Sequence, residues 1–231
     1  MRSIFRITPV GAVMIAAAGA ALALSPARSD EAVRIVAPPV LDTPLAKAPA
    51  TATAVLAGGC FWGLEGMFEH VAGVRSVRSG YAGGAAATAR YEIVGSGLTH
   101  HAEAVEIRYD PSRISYGRLL QLYFSVAHDP TLLDRQGPDR GSQYRSTIFA
   151  GDATQAKVAA NYIAQLDRAK AYGKPLATTV EVGRSFYPAE AYHQNFLKLN
   201  PDHSYIVVND LPKVAALKRL FPALYLASPV G

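Results

Sequence analysis

Ala54-Val55-Leu56-Ala57-Gly58-Gly59-Cys60-Phe61-Trp62-Gly63-Leu64-Glu65-Gly66-Met67-Phe68-Glu69-His70-Val71 contains both secondary-structure periods in one run. Ala54 to Ala57 reads as a short apolar strand ending at Gly58-Gly59. Beyond it, Leu64, Met67, Phe68 and Val71 fall on one helical stripe. The two glycines let the backbone turn tightly and approach a ligand without a Cβ in the way. Cys60 then lies at or just before a helix N-terminus, where unsatisfied N–H groups and the macrodipole favour a thiolate. A lone cysteine is commonly a small buried hydrophobe. Here the flanking glycines, and the flat apolar surfaces of Phe61 and Trp62, point instead to a nucleophile.

Working outward, Val74 to Gly80 reads as a second strand and the small residues 81–88 as a flexible loop. Ala102 to Tyr109 alternates, with Ala104, Glu106 and Arg108 on one face and Val105, Ile107 and Tyr109 on the other. Asp110-Pro111 stops that strand, and Ser115 caps a helix running through His128. Arg145 to Ala150 is a strand, and Asp152-Ala153-Thr154-Gln155 resembles a capping box opening a helix to Tyr172. Thr178 to Val182 is a short strand, and Ala189 to Leu199 is helical up to Pro201. Strands and helices mixed in one core predict an α+β fold of two layers, helices on a sheet. The loop around Gly95-Ser96-Gly97 and the longer one over 129–141 stay irregular, and long loops in compact domains are usually functional.

The N-terminus differs in kind. Arg2 and Arg6 precede an apolar run from Val10 to Leu24, and small residues follow at Ser25-Pro26-Ala27 and Ala27-Arg28-Ser29. That pattern predicts a secretory signal peptide over 1–29 and an exported, periplasmic protein that meets a membrane only during export. Residues 30–53 are rich in Pro and Ala and read as an extended, poorly ordered linker. The folded domain spans 54–226 and a tail 227–231. The formal charge of +5 owes two units to Arg2 and Arg6, and without a Lys/Arg run a nucleic-acid partner is disfavoured. No CxxC or His-Cys cluster suggests a metal. With one cysteine among 231 residues, no internal disulfide can form.

Four further side chains bear chemistry. Glu103 enters the alternating strand among small neighbours, where a carboxyl can have a raised pKa and act as a general acid. Tyr91 precedes the apolar pair Ile93 and Val94, and Tyr144 lies in the polar loop Asp139 to Arg145. His193, in Tyr192-His193-Gln194, reads as a structural hydrogen-bonder on a helix.

Gly59-Cys60-Phe61-Trp62-Gly63-Leu64-Glu65 resembles the signature of the A-type peptide methionine sulfoxide reductases. Further segments are similar in order and spacing: Gly80-Tyr81-Ala82-Gly83-Gly84, Tyr91, His101-Ala102-Glu103, Tyr109-Asp110-Pro111, His128-Asp129-Pro130-Thr131, Arg135-Gln136-Gly137-Pro138-Asp139, Gln143-Tyr144-Arg145-Ser146 and Ala189-Glu190-Ala191-Tyr192-His193-Gln194. The resemblance implies a ferredoxin-like α/β sandwich with long active-site loops. It implies reduction of methionine-S-sulfoxide, protein-bound or free, and so repair of oxidised proteins. Cys60 is the implied nucleophile and Glu103 the acid, while Tyr91 and Tyr144 donate to the sulfoxide oxygen. Phe61 and Trp62 hold the substrate methyl group, and Asp139 orients the substrate or a water. No cofactor is implied, only an external thiol such as thioredoxin, glutaredoxin or glutathione.

Two positions depart from the family pattern. His100 replaces a customary glycine before His101-Ala102-Glu103, and no resolving cysteine follows Cys60. An outside thiol must therefore attack the Cys60 sulfenic acid directly. Two rival readings remain at this level. One is a cysteine hydrolase with His101 or His193 as base. The other is a non-catalytic secreted thiol sensor or peroxide scavenger.

Overall fold

A computed structural model describes residues 33–231; the expected signal peptide lies outside them. Strand β1 (Ala52–Ala57) leads through the two glycines into helix α1 (Phe61–Glu69), and β2 (Val74–Ala82) follows. A one-turn helix α2 (Tyr91–Val94) precedes β3 (Ala102–Tyr109) and α3 (Tyr116–Leu122). The expected helix continues to Ala127 by widening into a π-helical turn. A two-residue hairpin, β4 (Arg135–Gln136) and β5 (Asp139–Arg140), interrupts the long loop before β6 (Thr147–Ala150). Next come α4 (Ala153–Arg168), β7 (Thr179–Val182), β8 (Phe186–Pro188), α5 (Phe196–Leu199) and α6 (Leu211–Leu220).

The six-stranded sheet has the order β7-β6-β1-β3-β2-β8. Its middle four strands, β6-β1-β3-β2, are antiparallel throughout, and β1-α1-β2 straddles β3. This is the split β-α-β of the expected ferredoxin-like α+β sandwich. Strand alternation decides which side chains meet the helices. Val105 and Ile107 join Leu64, Met67 and Phe68 in the main core, while Ala102 and Ala104 form a small cluster with Ala57, Ala82 and Phe149. Glu103 belongs to the same alternating series as Val105 and Ile107, so the pleat aims its carboxyl into the helix layer.

Three expectations are corrected. Residues 33–51 are not a poorly ordered linker but a strap docked on α3 and α4. Val36 is buried, and its carbonyl accepts from Gln121 Nε2 at 2.7 Å. The Ala37 carbonyl accepts from Tyr162 Oη at 2.7 Å. Gln165 holds both Val40 N–H and the Pro38 carbonyl. Asp42 completes the N-terminus of α3: it accepts from Gly117 N–H at 2.6 Å and Ser115 Oγ at 2.5 Å, while Ser115 Oγ accepts from Arg118 N–H. Helix α4 stops at Arg168 rather than Tyr172, because Lys170 turns left-handed (φ 48°) and Ala171 N–H closes back onto the Leu166 carbonyl. The stretch 189–199 is not one helix. Gln194 pairs with the Ser79 backbone and Asn195 N–H donates to Glu65, so Asn195 sits at φ 55° between a 3₁₀ turn and α5. Long-range bonds outcompete local helix there.

The chain beyond α6 returns along the far end of α1. Leu226 N–H donates to the His70 carbonyl and Val230 N–H to the Glu69 carbonyl. With a rise of about 1.5 Å per residue, the nine residues of α1 put this docked tail roughly 13 Å from the Cys60 end. Asp42→Ala strips acceptors from a helix N-terminus and unfastens the strap; urea denaturation is expected to show a stability loss of about 1–3 kcal/mol.

Candidate active site

Cys60 is the N-cap residue of α1, at the C-terminal end of β1. Gly59 takes φ +91°, and a Cβ there would lie 2.8 Å from Gln136, so only glycine delivers the thiol to this corner. The side chain of Cys60 is only partly covered. Beside it, Phe61 N–H donates to Glu103 Oε2 at 3.1 Å. That bond pins the first turn of α1 to the start of β3 and sets a carboxyl next to the thiol.

The electrostatics reverse one expectation. Burial pushes the Cys60 thiol well above its usual range, and the carboxyls of Glu103, Asp210 and Asp139 push it further, against the Trp62 N–H. A helix N-terminus contributes about 0.3–1 kcal/mol, less than one pKa unit, and is outweighed here by burial acting together with three nearby carboxyls. The resting group is a thiol, not a thiolate. Burial likewise raises Glu103 to about 8, against the Phe61 N–H and helped by Asp139 and Asp210. At neutral pH Glu103 is mostly protonated. Burial, then the Glu103 charge, raises the phenols of Tyr91 and Tyr144, so both keep their protons.

The structure brings all seven sequence-named residues to one end of the sheet. Tyr91 opens α2 and its backbone N–H donates to Glu190 Oε1, whose other oxygen accepts from Tyr81 Oη. The Tyr144 carbonyl accepts from Gly59 N–H at 3.2 Å, placing that loop over the cysteine turn. Asp139, on β5, accepts from Tyr205 Oη. Burial raises Asp139 against that donor and Lys213. Phe61 is almost wholly buried against Tyr81 and His193. Trp62 is half-buried, stacked on Phe196 at 3.7 Å and 8°, with Tyr205 edge-on at 5.9 Å.

His100 stands apart from this cluster. It is exposed at φ 60° and lines an open groove of about 940 Å³ with Arg145 and Arg184, its carbonyl accepting from Arg145. His101 is buried and spent on backbone: Gly84 N–H donates to Nδ1, leaving Nε2 to donate to the Ala85 carbonyl. Neither His101 nor His193 hydrogen-bonds Cys60, so the hydrolase reading lacks its base.

Sequence reading missed Tyr205, Glu190 and Asp210, and read His193 as a structural helical residue. All four come from the segment wrapping α1. The signal was the glycine at position 63: a Cβ there would lie 2.2 Å from Asp210 Oδ1, so the α1 face is bared for a close neighbour. Pro212, next to the start of α6, marked the helix that follows. Among the described residues no cluster of three or more His, Cys, Asp or Glu can hold a metal, and no helix is long and apolar enough to cross a membrane.

The model of the family described as peptide methionine sulfoxide reductase matches residues 52–223. The chain is 63% identical to peptide methionine sulfoxide reductase MsrA 2 of Mesorhizobium japonicum over 183 residues, covering 79% of this chain and 94% of that protein. It is 50% identical to the MsrA 2 protein of Synechocystis sp., covering 81% of this chain and 89% of that one. Among solved structures, methionine sulfoxide reductase A of Corynebacterium diphtheriae is similar with a TM-score of 0.58 and 31% identity, over 74% of this chain and 89% of that one. A thiol beside a protonated carboxyl, on this fold and with these relatives, places the chain in the peptide methionine sulfoxide reductase family, as an A-type enzyme.

Proposed function

We propose that Cys60 and Glu103 carry the reduction of methionine-S-sulfoxide through the proton that Glu103 holds at neutral pH. The observation that carries this assignment is the partly open Cys60 next to a carboxyl raised to about 8 and fixed by the Phe61 N–H. A sulfoxide is a poor electrophile until its oxygen is protonated. Glu103 gives its proton to that oxygen while the Cys60 sulfur attacks the sulfoxide sulfur, and the thiol proton returns to the Glu103 carboxylate. The attack forms an S–S bond between Cys60 and the substrate. That bond and the S–O bond of the substrate then break as the oxygen forms a new bond to the Cys60 sulfur, which becomes a sulfenic acid, and methionine leaves as the thioether. Two electrons pass from Cys60 to the substrate, and the proton count is unchanged. The protonated Tyr91 and Tyr144 phenols donate to the oxygen as charge develops on it. Trp62, with the edge of the buried Phe61, walls the methyl group, and Asp139, held by Tyr205, orients the substrate.

Regeneration uses outside thiols. One attacks the sulfenic acid to give a mixed disulfide and water; a second releases Cys60 and leaves with the first as a disulfide. The docked tail at the Glu69 end of α1 offers nothing to attack in their place. We further infer export to the periplasm, supported by the charged start, apolar run and small residues of 1–29.

Single-turnover assays without reductant are expected to consume one equivalent of the S epimer and leave a dimedone-reactive Cys60; activity in Cys60→Ser would refute the assignment. Glu103→Gln is expected to slow that turnover by about 10²–10⁴-fold and to abolish a decline in rate as pH rises through about 8. Stability follows the same direction with pH. A carboxyl raised in the folded state binds its proton more tightly there than in the unfolded chain, so its contribution falls between about 4.5 and about 8. Glu103→Gln should therefore melt higher than wild type at pH 8, read by calorimetry. Expressed from its own gene with a periplasmic fraction collected, the mature chain is expected to begin within a few residues of Ser29; a Met1 start in that fraction overturns export with cleavage.

A further inference from the structure

Trp62 makes one wall of the site, and its indole lies flat on Phe196, with centroids 3.7 Å apart. Stacking of this kind holds the plane of a ring but only weakly its rotation within the plane. The polar edge supplies what stacking lacks: Trp62 Nε1–H donates to His193 Nδ1 at 3.1 Å. Because Nδ1 accepts, the imidazole is neutral and carries its proton on Nε2, an atom buried without a partner in the protein. The His193 ring also packs against Phe61 at 5.0 Å and Tyr91 at 4.4 Å. Its own segment is anchored on both sides. Glu190 accepts from Tyr91 N–H and Tyr81 Oη, and Gln194 bonds the Ser79 backbone.

We propose that His193 is a positioning residue: by accepting from the Trp62 indole while packing on Phe61 and Tyr91, it sets the rotation of the methyl-binding wall relative to the oxygen-binding phenol. The role in substrate binding rests on the reductase assignment above; the hydrogen bond itself does not. A wall that can rotate still lets Cys60 and Glu103 react, but it holds the sulfoxide less well and separates the two epimers less sharply. The effect belongs in KM rather than in the rate at saturation.

Trp62 is the one tryptophan in the chain, so its indole signals report this site alone. In ligand-free wild-type protein labelled with ¹⁵N, a through-bond ¹⁵N–¹⁵N coupling between Trp62 Nε1 and His193 Nδ1 is expected; its absence overturns the bond. His193→Phe keeps a ring but removes the acceptor, and is expected to speed indole hydrogen exchange. It should also raise KM about 2- to 10-fold, the equivalent of one neutral hydrogen bond, with the saturated single-turnover rate changed less than twofold. His193→Asn, whose amide oxygen occupies the place of Nδ1, is expected to restore the slow exchange and most of the KM. If His193→Phe does not fold, His193→Gln, which reaches the Nε2 position instead, serves as the variant without the acceptor. Equal KM losses in both variants, or a loss confined to the saturated rate, overturn the positioning role. A wild-type protein that shows the coupling but reduces no sulfoxide sinks the reductase assignment alone.

Discussion

The Phe61 N–H···Glu103 hydrogen bond is the constraint on which the site depends. It joins the first turn of α1 to the first residues of β3, two elements separated by the whole of β2 and its loops. Without it, a carboxyl on the helix-facing side of a strand would be buried and unpaired, at a cost of several kcal/mol if ionised. With one donor it is tolerable, yet burial outweighs that bond and keeps its proton on. The same bond occupies a helix N–H that would otherwise help to stabilise a thiolate. One interaction thus fixes a protonated carboxyl beside Cys60 and withholds a helix N–H from its sulfur.

That restraint shows where local reading fails. A cysteine at a helix N-cap is a reasonable thiolate when only its own helix is considered. Glu103, Asp139 and Asp210 reach it from β3, β5 and the turn before α6, and nothing in the residues around position 60 records them. By contrast, β1, α1, β2 and β3 were legible because their apolar periods are the physical reason they pack. The two-layer class followed from them. Phe61 and Trp62 were legible by adjacency to the cysteine. Glu103, Tyr91, Tyr144 and Asp139 acquired roles only from the ordered family motifs, since their meeting is a product of long-range strand register.

The segments misread share a cause. Residues 33–51 have the composition of a linker, yet their backbone groups find partners in Gln121, Tyr162 and Gln165, and Asp42 finishes a helix that does not belong to them. The stretch 189–199 has helical spacing, yet Gln194 and Asn195 are committed to β2 and α1. In both, polar side chains serving distant backbone override what the local pattern favours. Such bonds are worth little singly, about 1 kcal/mol each, but they recruit whole segments when the alternative is an unpaired buried group.

The docked strap also sets a geometry for whatever is joined to the chain at its N-terminal side. A free stretch of 19 residues would span roughly 60 Å when extended, enough for the domain to tumble about its point of attachment. Fastened along α3 and α4, the same stretch adds almost no length. Whatever precedes residue 33 therefore leaves from a fixed place on the α3–α4 face, and the strap contributes packing rather than reach.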